Sequence, residues 1–444
     1  MTAPVHGETL VPPAERGLLH DLAGQASPVR IEADIRRLAG FGTRHTASET
    51  TSDTRGIGAA RRWIEGEFQR IAKDCGGCLE VRLVAETVSG TPRLPEPVAV
   101  VNVIAIQRGA LDPDRVVIMA GDIDSRASDV MDAVSDAPGA NDNASGMAGV
   151  LEAARVLSRQ RFAGTIVYAG LSGEEQGLFG GAILARYAQA QGWRIKAVLN
   201  NDMIGNVAGI DGVIDNTTAR VFSEGTRATE TPEDARLRRF TGGEVDSPSR
   251  NLARLVDRLA ERYIANLDVM LVYRLDRFGR GGHHRPFNEA GWPGVRIMEA
   301  HENYRRQHQD VRVKDGIAYG DVVAGVDFAY AAKLTALNIV TLAELAAAPP
   351  FPAQVAIEGA VQPSTTLAWA LPEGKAADNL AGYRLYWRLT TDPQWRWSRY
   401  VGKVNRFTLD NIVIDNYFFG VASVARDGAE SPVVFPGPAG SFGD

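Results

Sequence analysis

Leu171-Ser172-Gly173-Glu174-Glu175-Gln176-Gly177-Leu178-Phe179 joins an apolar, strand-like run over residues 165–171 to a helix-like run over 178–191. Two adjacent anions at the end of a buried strand are costly unless a cation neutralises them. One carboxylate on a metal and one free to move a proton is the natural division of labour. Taken alone, Glu174-Glu175 reads equally well as the solvated start of a helix, so the flanking pattern has to decide. Strand-like runs at 98–106, 115–120, 165–171, 195–200 and 295–299 alternate with helix-like runs at 144–159, 178–191, 248–264 and 319–348. Residues 29–74 are mostly helical, and 57–68 space their apolar side chains for one buried face. This alternation predicts an α/β fold, a three-layer α/β/α sandwich around a mostly parallel, mixed central sheet.

The pattern changes after Ala346-Ala347-Ala348-Pro349-Pro350. Period-2 strands separated by Pro, Asp and Gly turns follow, which predicts a small C-terminal all-β sandwich. The chain therefore divides into an N-terminal arm (1–28), an α/β domain (29–348) and a β module (351–444). A length of 444 residues suits this division, being too long for one ordinary core. With 45% hydrophobic residues, 23% charged residues and a net charge of −6, the composition is that of a globular protein and offers nothing to nucleic acid or an anionic membrane. No uninterrupted apolar run reads as a transmembrane segment, and residues 1–17 lack a signal-peptide core. Cys75 and Cys78 are too few for a closed zinc site; they read as a local disulfide or as two thiols in a turn.

Sites in open α/β sheets lie beyond the carboxyl ends of the strands. Here those ends carry Asp122 and Asp124, Glu174 and Glu175, and Asp202, while the turn-rich loop Gly139-Ala140-Asn141-Asp142-Asn143-Ala144-Ser145-Gly146 opens a helix. Each Asp singly reads as a cap or turn residue. Together they point to one or two divalent ions on a common rim. Four of the seven histidines, His283, His284, His301 and His308, fall late in this domain, and His308 lies in a polar loop before its last helix.

In this order the motifs resemble the M28 family of zinc aminopeptidases over residues 29–348. The resemblance implies Asp142 as a ligand bridging two divalent metal ions, most simply Zn2+. It implies Glu174 as general base and acid, and Glu175, Asp202 and His308 as further ligands. The segment from Gly282 to Gly291 resembles the family's substrate-pocket loop, and His284 and Tyr304 are its pocket candidates. The implied activity is hydrolysis of the first peptide bond of a substrate with a free N-terminus, and the implied location is secreted or periplasmic. Two positions depart from the family pattern. A metal-binding His is expected where Asp122 stands, and an Asp where His283 stands. With Asp122, one site becomes Asp122, Asp142 and Asp202, an all-oxygen set that suits Mn2+ or another hard ion. Asp124, which would orient the missing His, loses that task.

The missing His also tilts the chain toward a glutaminyl cyclase-like or mono-metal hydrolase. A third reading is a non-catalytic binding protein in which the β module is the working part. That module resembles a fibronectin type III domain, with Trp369 and residues 383–387 facing its core and its surface available for a protein contact. The stretch 207–247 reads as a lid or a disordered segment.

Overall fold

The computed structural model describes residues 11–443. Three helices come first: α1 (Gly17–Ala23), α2 (Pro28–Ala39) and α3 (Gly56–Asp74). Then follow β1 (Glu80–Val88), β2 (Val98–Gln107), β3 (Asp112–Asp122), α4 (Ala144–Leu157), β4 (Gly164–Leu171), the one-turn α5 (Glu174–Gly177), α6 (Phe179–Ala190) and β5 (Arg194–Asn201). The later half adds β6 (Thr218–Phe222), α7 (Pro232–Thr241), α8 (Pro248–Tyr263), β7 (Asp268–Val272), α9 (Arg285–Glu289), β8 (Gly294–Glu299), the hairpin β9 (Arg312–Lys314) and β10 (Ile317–Tyr319), and α10 (Phe328–Ala347).

Eight strands form one sheet in the order β1-β2-β4-β3-β5-β8-β6-β7. Its centre, β4-β3-β5-β8, is parallel, while β1, β2 and the β6–β7 pair make it mixed. Both faces are buried, and successive residues sort between them. Val103, Val117, Met119, Ile166 and Tyr168 pack with the helices of one layer. Ile104, Ile118, Val167 and Ala169 pack with α6 residues Ile183 and Leu184 on the other. The expected sandwich is the observed one. β1, β6 and β7 had no clear sequence signal: β1 and β7 are the edge strands, β1 leaving most of its residues partly or fully exposed, and β6 is only five residues long. The stretch 207–247 is ordered around β6 and the capping-box helix α7, where Thr231 and Asp234 satisfy each other's amides.

The last helix starts at Phe328 rather than 319, because Asp327 accepts the Tyr330 amide (2.8 Å) and fixes the cap there. α10 is long and apolar enough to cross a membrane, but 83% of that span is buried in the protein. It is the central helix of the fold. The described part of the N-terminal arm is docked: α1 buries Leu19 and Leu22, and Arg16 pairs with Glu344 of α10 at 2.7 Å. Cys75 and Cys78 form a disulfide just past α3.

The C-terminal module is two three-stranded antiparallel sheets. One joins β11 (Ala353–Glu358), β12 (Thr365–Ala370) and β15 (Arg406–Leu409); the other joins β13 (Leu380–Leu389), β14 (Trp397–Gly402) and β16 (Tyr417–Ala425). Trp369 and Tyr383 meet between them, ring centroids 5.0 Å apart. The module is fastened to the α/β domain by buried charge: Asp246 accepts from Arg254 of α8 (2.7 Å) and from Arg388 of β13 (2.8 Å), all three side chains being almost fully buried.

Glu224, just past β6, illustrates the cost of such burial. Burial pushes its carboxyl above the ordinary 4.5 to about 7, and Ser249, Arg227 and Asn288 offset this only in part. A folded value above the unfolded one means the neutral acid suits the fold. The associated stability is complete below about pH 4 and is lost as pH rises through about 7. Glu224→Gln is therefore expected to be more stable than wild type at pH 8, by up to about 3 kcal/mol, with the gap closing near pH 4. Equal thermal midpoints at both pH values would contradict this.

Candidate metal centre

The rim predicted from sequence is built at the carboxyl ends of the parallel strands. Asp122 ends β3, Glu174 and Glu175 open α5 after β4, and Asp202 follows β5. Asp142 directly precedes Asn143, which caps α4 by accepting the Gly146 amide (3.1 Å). The 142–143 peptide bond is cis. β3, α4 and β5 approach so closely that a Cβ on Gly121 would lie 2.7 Å from the Gly146 carbonyl carbon, and one on Gly146 would lie 2.3 Å from the Asn201 carbonyl oxygen. Glycine at both positions lets the Asp142 loop reach the strand ends.

Several buried groups pin that loop. The Arg44 guanidinium donates to the carbonyls of Ile123, Pro138 and Gly139. The Asp321 carboxylate accepts the amides of Asn141 (2.9 Å) and Asp142 (2.6 Å). Asp124 accepts the amides of Glu174 (3.3 Å) and Glu175 (3.1 Å), so its task here is to orient the Glu-Glu turn.

The structure brings together Asp142, Glu175 and His308, whose donor atoms all lie within 4.8 Å of one another. His308 Nε2 is 3.0 Å from Asp142 Oδ2 and 2.9 Å from Glu175 Oε1. His308 sits at φ 54°, a left-handed conformation that a non-glycine residue adopts only when its surroundings hold it. Burial works against a charged imidazole, yet Glu175 and Asp142 raise its pKa to about 10. Burial likewise pushes Asp142 up, but His308, Arg277 and Arg280 hold its carboxyl well below the ordinary range. Two carboxylate oxygens and one imidazole nitrogen with this appetite for positive charge fit a divalent ion such as zinc.

Asp122 and Asp202 are placed differently. Asp122 Oδ1 lies 2.5 Å from His283 Nδ1, and its Oδ2 accepts from Asn143 (2.7 Å). The two residues read from sequence as departures from the family pattern thus touch each other. Asp202 Oδ2 lies 2.6 Å from Nη2 of Arg296, a fully buried guanidinium on β8, and 3.8 Å from Arg277 Nη2. Arg296 also pairs with Asp276 at 3.2 Å. Asp202 thus faces a guanidinium, and Asp122 and Asp202 lie outside the cluster of Asp142, Glu175 and His308 whose donor atoms fall within 4.8 Å of one another. Arg296 escaped the sequence reading; its only signal was a charge inside the apolar run Val295-Arg296-Ile297-Met298.

Glu174 stands apart from these pairs, half-buried in the same cleft as the Asp142 triad. Burial first, and then Glu175, Asp202, Asp122 and Asp142, push its carboxyl well above the ordinary range. The two pocket candidates lie outside the cleft lining. His284 is fully buried, bonded to the Leu275 carbonyl (2.9 Å), and Tyr304 is 55% exposed.

A carboxylate–imidazole cluster of a kind that can hold a cation, beside a carboxyl whose proton affinity is raised, at the carboxyl edge of an α/β/α sheet, suits a metal-dependent hydrolase. The comparisons agree with that class. Residues 102–317 match the model of peptidase family M28. A "Probable zinc metalloprotease" of Leptosphaeria maculans is 42% identical over 433 residues, covering 97% of this chain and all of that one. One of Pyricularia oryzae is 42% identical over 94% of this chain and 83% of its own. The chain belongs to peptidase family M28. Among solved structures, the Legionella pneumophila LapA aminopeptidase superposes with a TM-score of 0.53 at 18% identity, covering 78% of this chain and 76% of that one. A Macrostomum lignano glutaminyl cyclase superposes with a TM-score of 0.51 at 13% identity, covering 75% and 94%. These two likenesses establish the fold, which carries either activity.

Proposed function

We propose that the protein is a zinc-dependent aminopeptidase that uses one ion, held by Asp142, Glu175 and His308, with Glu174 as general base. The observation that carries this reading is the convergence of those three side chains in one cleft with a fourth carboxyl whose proton affinity is raised. Asp142, Glu175 and His308 would hold the zinc, which when bound would supply Lewis acidity toward a carbonyl and a water. Glu174 takes a proton from the attacking water and returns it to the leaving amine. Asp124 keeps Glu174 and Glu175 aimed by holding their amides. Arg296 places a positive charge against Asp202, the work a second ion would do there, while His283 engages Asp122 as a hydrogen-bond partner. The disulfide supports action in an oxidising compartment, secreted or periplasmic. The order and pairing of its strands support a fibronectin type III-like character for the β module.

Stripping the metal with a chelator is expected to abolish aminoacyl-substrate hydrolysis, and about one zinc per chain should restore it. Two ions per chain at full activity would remove the single-ion reading. The Asp-Glu-His triad also favours a second reading, a glutaminyl cyclase. Cyclisation of a peptide with N-terminal Gln, with aminoacyl substrates left untouched, would select it. Silence toward every substrate with zinc, manganese or cobalt would point to the binding-protein reading.

A further inference from the structure

The cleft that contains Glu174 and the Asp142 triad has a volume of about 480 Å³, and five arginines line it. Arg93 comes from the β1–β2 connection and Arg126 from the loop after β3; Arg277, Arg280 and Arg285 come from the segment leading into α9 and its first residue. Asp142, Glu174, Glu175 and Asp202 line the same cleft, and the ion pairs of its arginines fall on one side. Arg285 has Glu289 (2.8 Å). Arg277 and Arg280 share Glu302, at 3.1 and 3.3 Å, and that carboxylate also serves Arg220. Arg93 and Arg126 have no carboxylate partner among the described residues. Arg93 donates to the Glu175 carbonyl (2.6 Å), and Arg126 donates to the carbonyls of Ala127 (3.1 Å) and Ser128 (2.8 Å). Both guanidiniums are thus held by backbone oxygens, each with a net positive charge left to offer. Arg93 is tied to the backbone of a metal-ligating residue, which places it at the reacting end of the cleft.

Resting on the peptidase reading above, we propose that this cleft selects anionic peptides, with Arg126 and Arg93 binding a carboxylate close to the scissile bond. The carboxylate has two chemical sources: the side chain of an acidic first residue, or the free C-terminus of a dipeptide. A guanidinium binds a carboxylate with charge-assisted, often paired hydrogen bonds that a neutral substrate does not offer. The preference for the charged ligand should be about tenfold or more.

The test uses zinc-loaded Glu174→Gln protein, in which binding is read without turnover. Three probes are titrated calorimetrically: Asp-Leu-amide, Leu-Leu with a free C-terminus, and Leu-Leu-amide. Tighter binding of the first by about tenfold identifies the side-chain source, and of the second the C-terminal source. Adding Arg126→Met should cut that preference to within about threefold, and adding Arg93→Met as well should erase it, with zinc content measured in each variant. Equal binding of all three probes, or a preference that survives in the Arg93→Met/Arg126→Met protein, overturns the proposal. Because the reading is of binding alone, a wild-type protein without peptidase activity would sink the proposed reaction and leave this result interpretable.

Discussion

Glu174→Gln is expected to lower kcat by about 10²–10⁴-fold while zinc stays bound at the wild-type level. The amide is isosteric with the acid and takes no proton from water, so the loss falls on the step that moves protons. The side chains proposed to hold zinc, Asp142, Glu175 and His308, are untouched. Asp124 still receives the amide of residue 174, so the turn keeps its shape. KM should change little, since the substitution removes an interaction that matters in the transition state. Steady-state kinetics with a chromogenic aminoacyl substrate, paired with zinc content by atomic absorption, measures both halves. Unchanged turnover with zinc in place would mean that another group takes the proton.

Arg296→Met is expected to destabilise the protein by about 3–5 kcal/mol, the cost of stranding buried charge by removing one partner. Arg296 is fully buried, and it faces Asp202 at 2.6 Å and Asp276 at 3.2 Å. Burial already pushes the Asp202 carboxyl up to about 6 against the pull of Arg296 and Arg277. Without Arg296 that carboxyl has lost the neighbour that opposes its protonation most strongly. The thermal midpoint should drop sharply, and the double variant Arg296→Met/Asp202→Asn should recover part of the loss. This also tests the single-ion reading from a second side. If Arg296→Met keeps its midpoint and takes up a second zinc, the guanidinium was occupying a metal position without being needed there.

The central strands and the helices α4, α6 and α8 were legible because each is a long run with one period: apolar throughout in a strand covered on both faces, 3.6-residue spacing in a helix. The edge strands β1 and β7 and the short β6 were not, because half-exposed strands carry polar residues and short runs have no distinctive period. Asp142, Glu174, Glu175 and His308 could be singled out because their motifs surround them with turn glycines and strand ends. Arg296, Asp276 and Asp321 could not, since each acts through a partner distant in the chain and no local pattern announces it.

From the chain alone came the layered α/β architecture, the break near Pro349-Pro350 and the candidate site residues, all of which follow from local periodicity and from the rule that strands in such sheets point their carboxyl ends at the site. Only the tertiary structure decided which acids gather around an imidazole and which face another partner. Asp122 and His283 are 161 residues apart, and Asp202 meets Arg296 across two neighbouring strands. Whether a buried carboxylate needs a metal depends on what charge stands within a few ångströms of it, and that distance exists only once the sheet has formed.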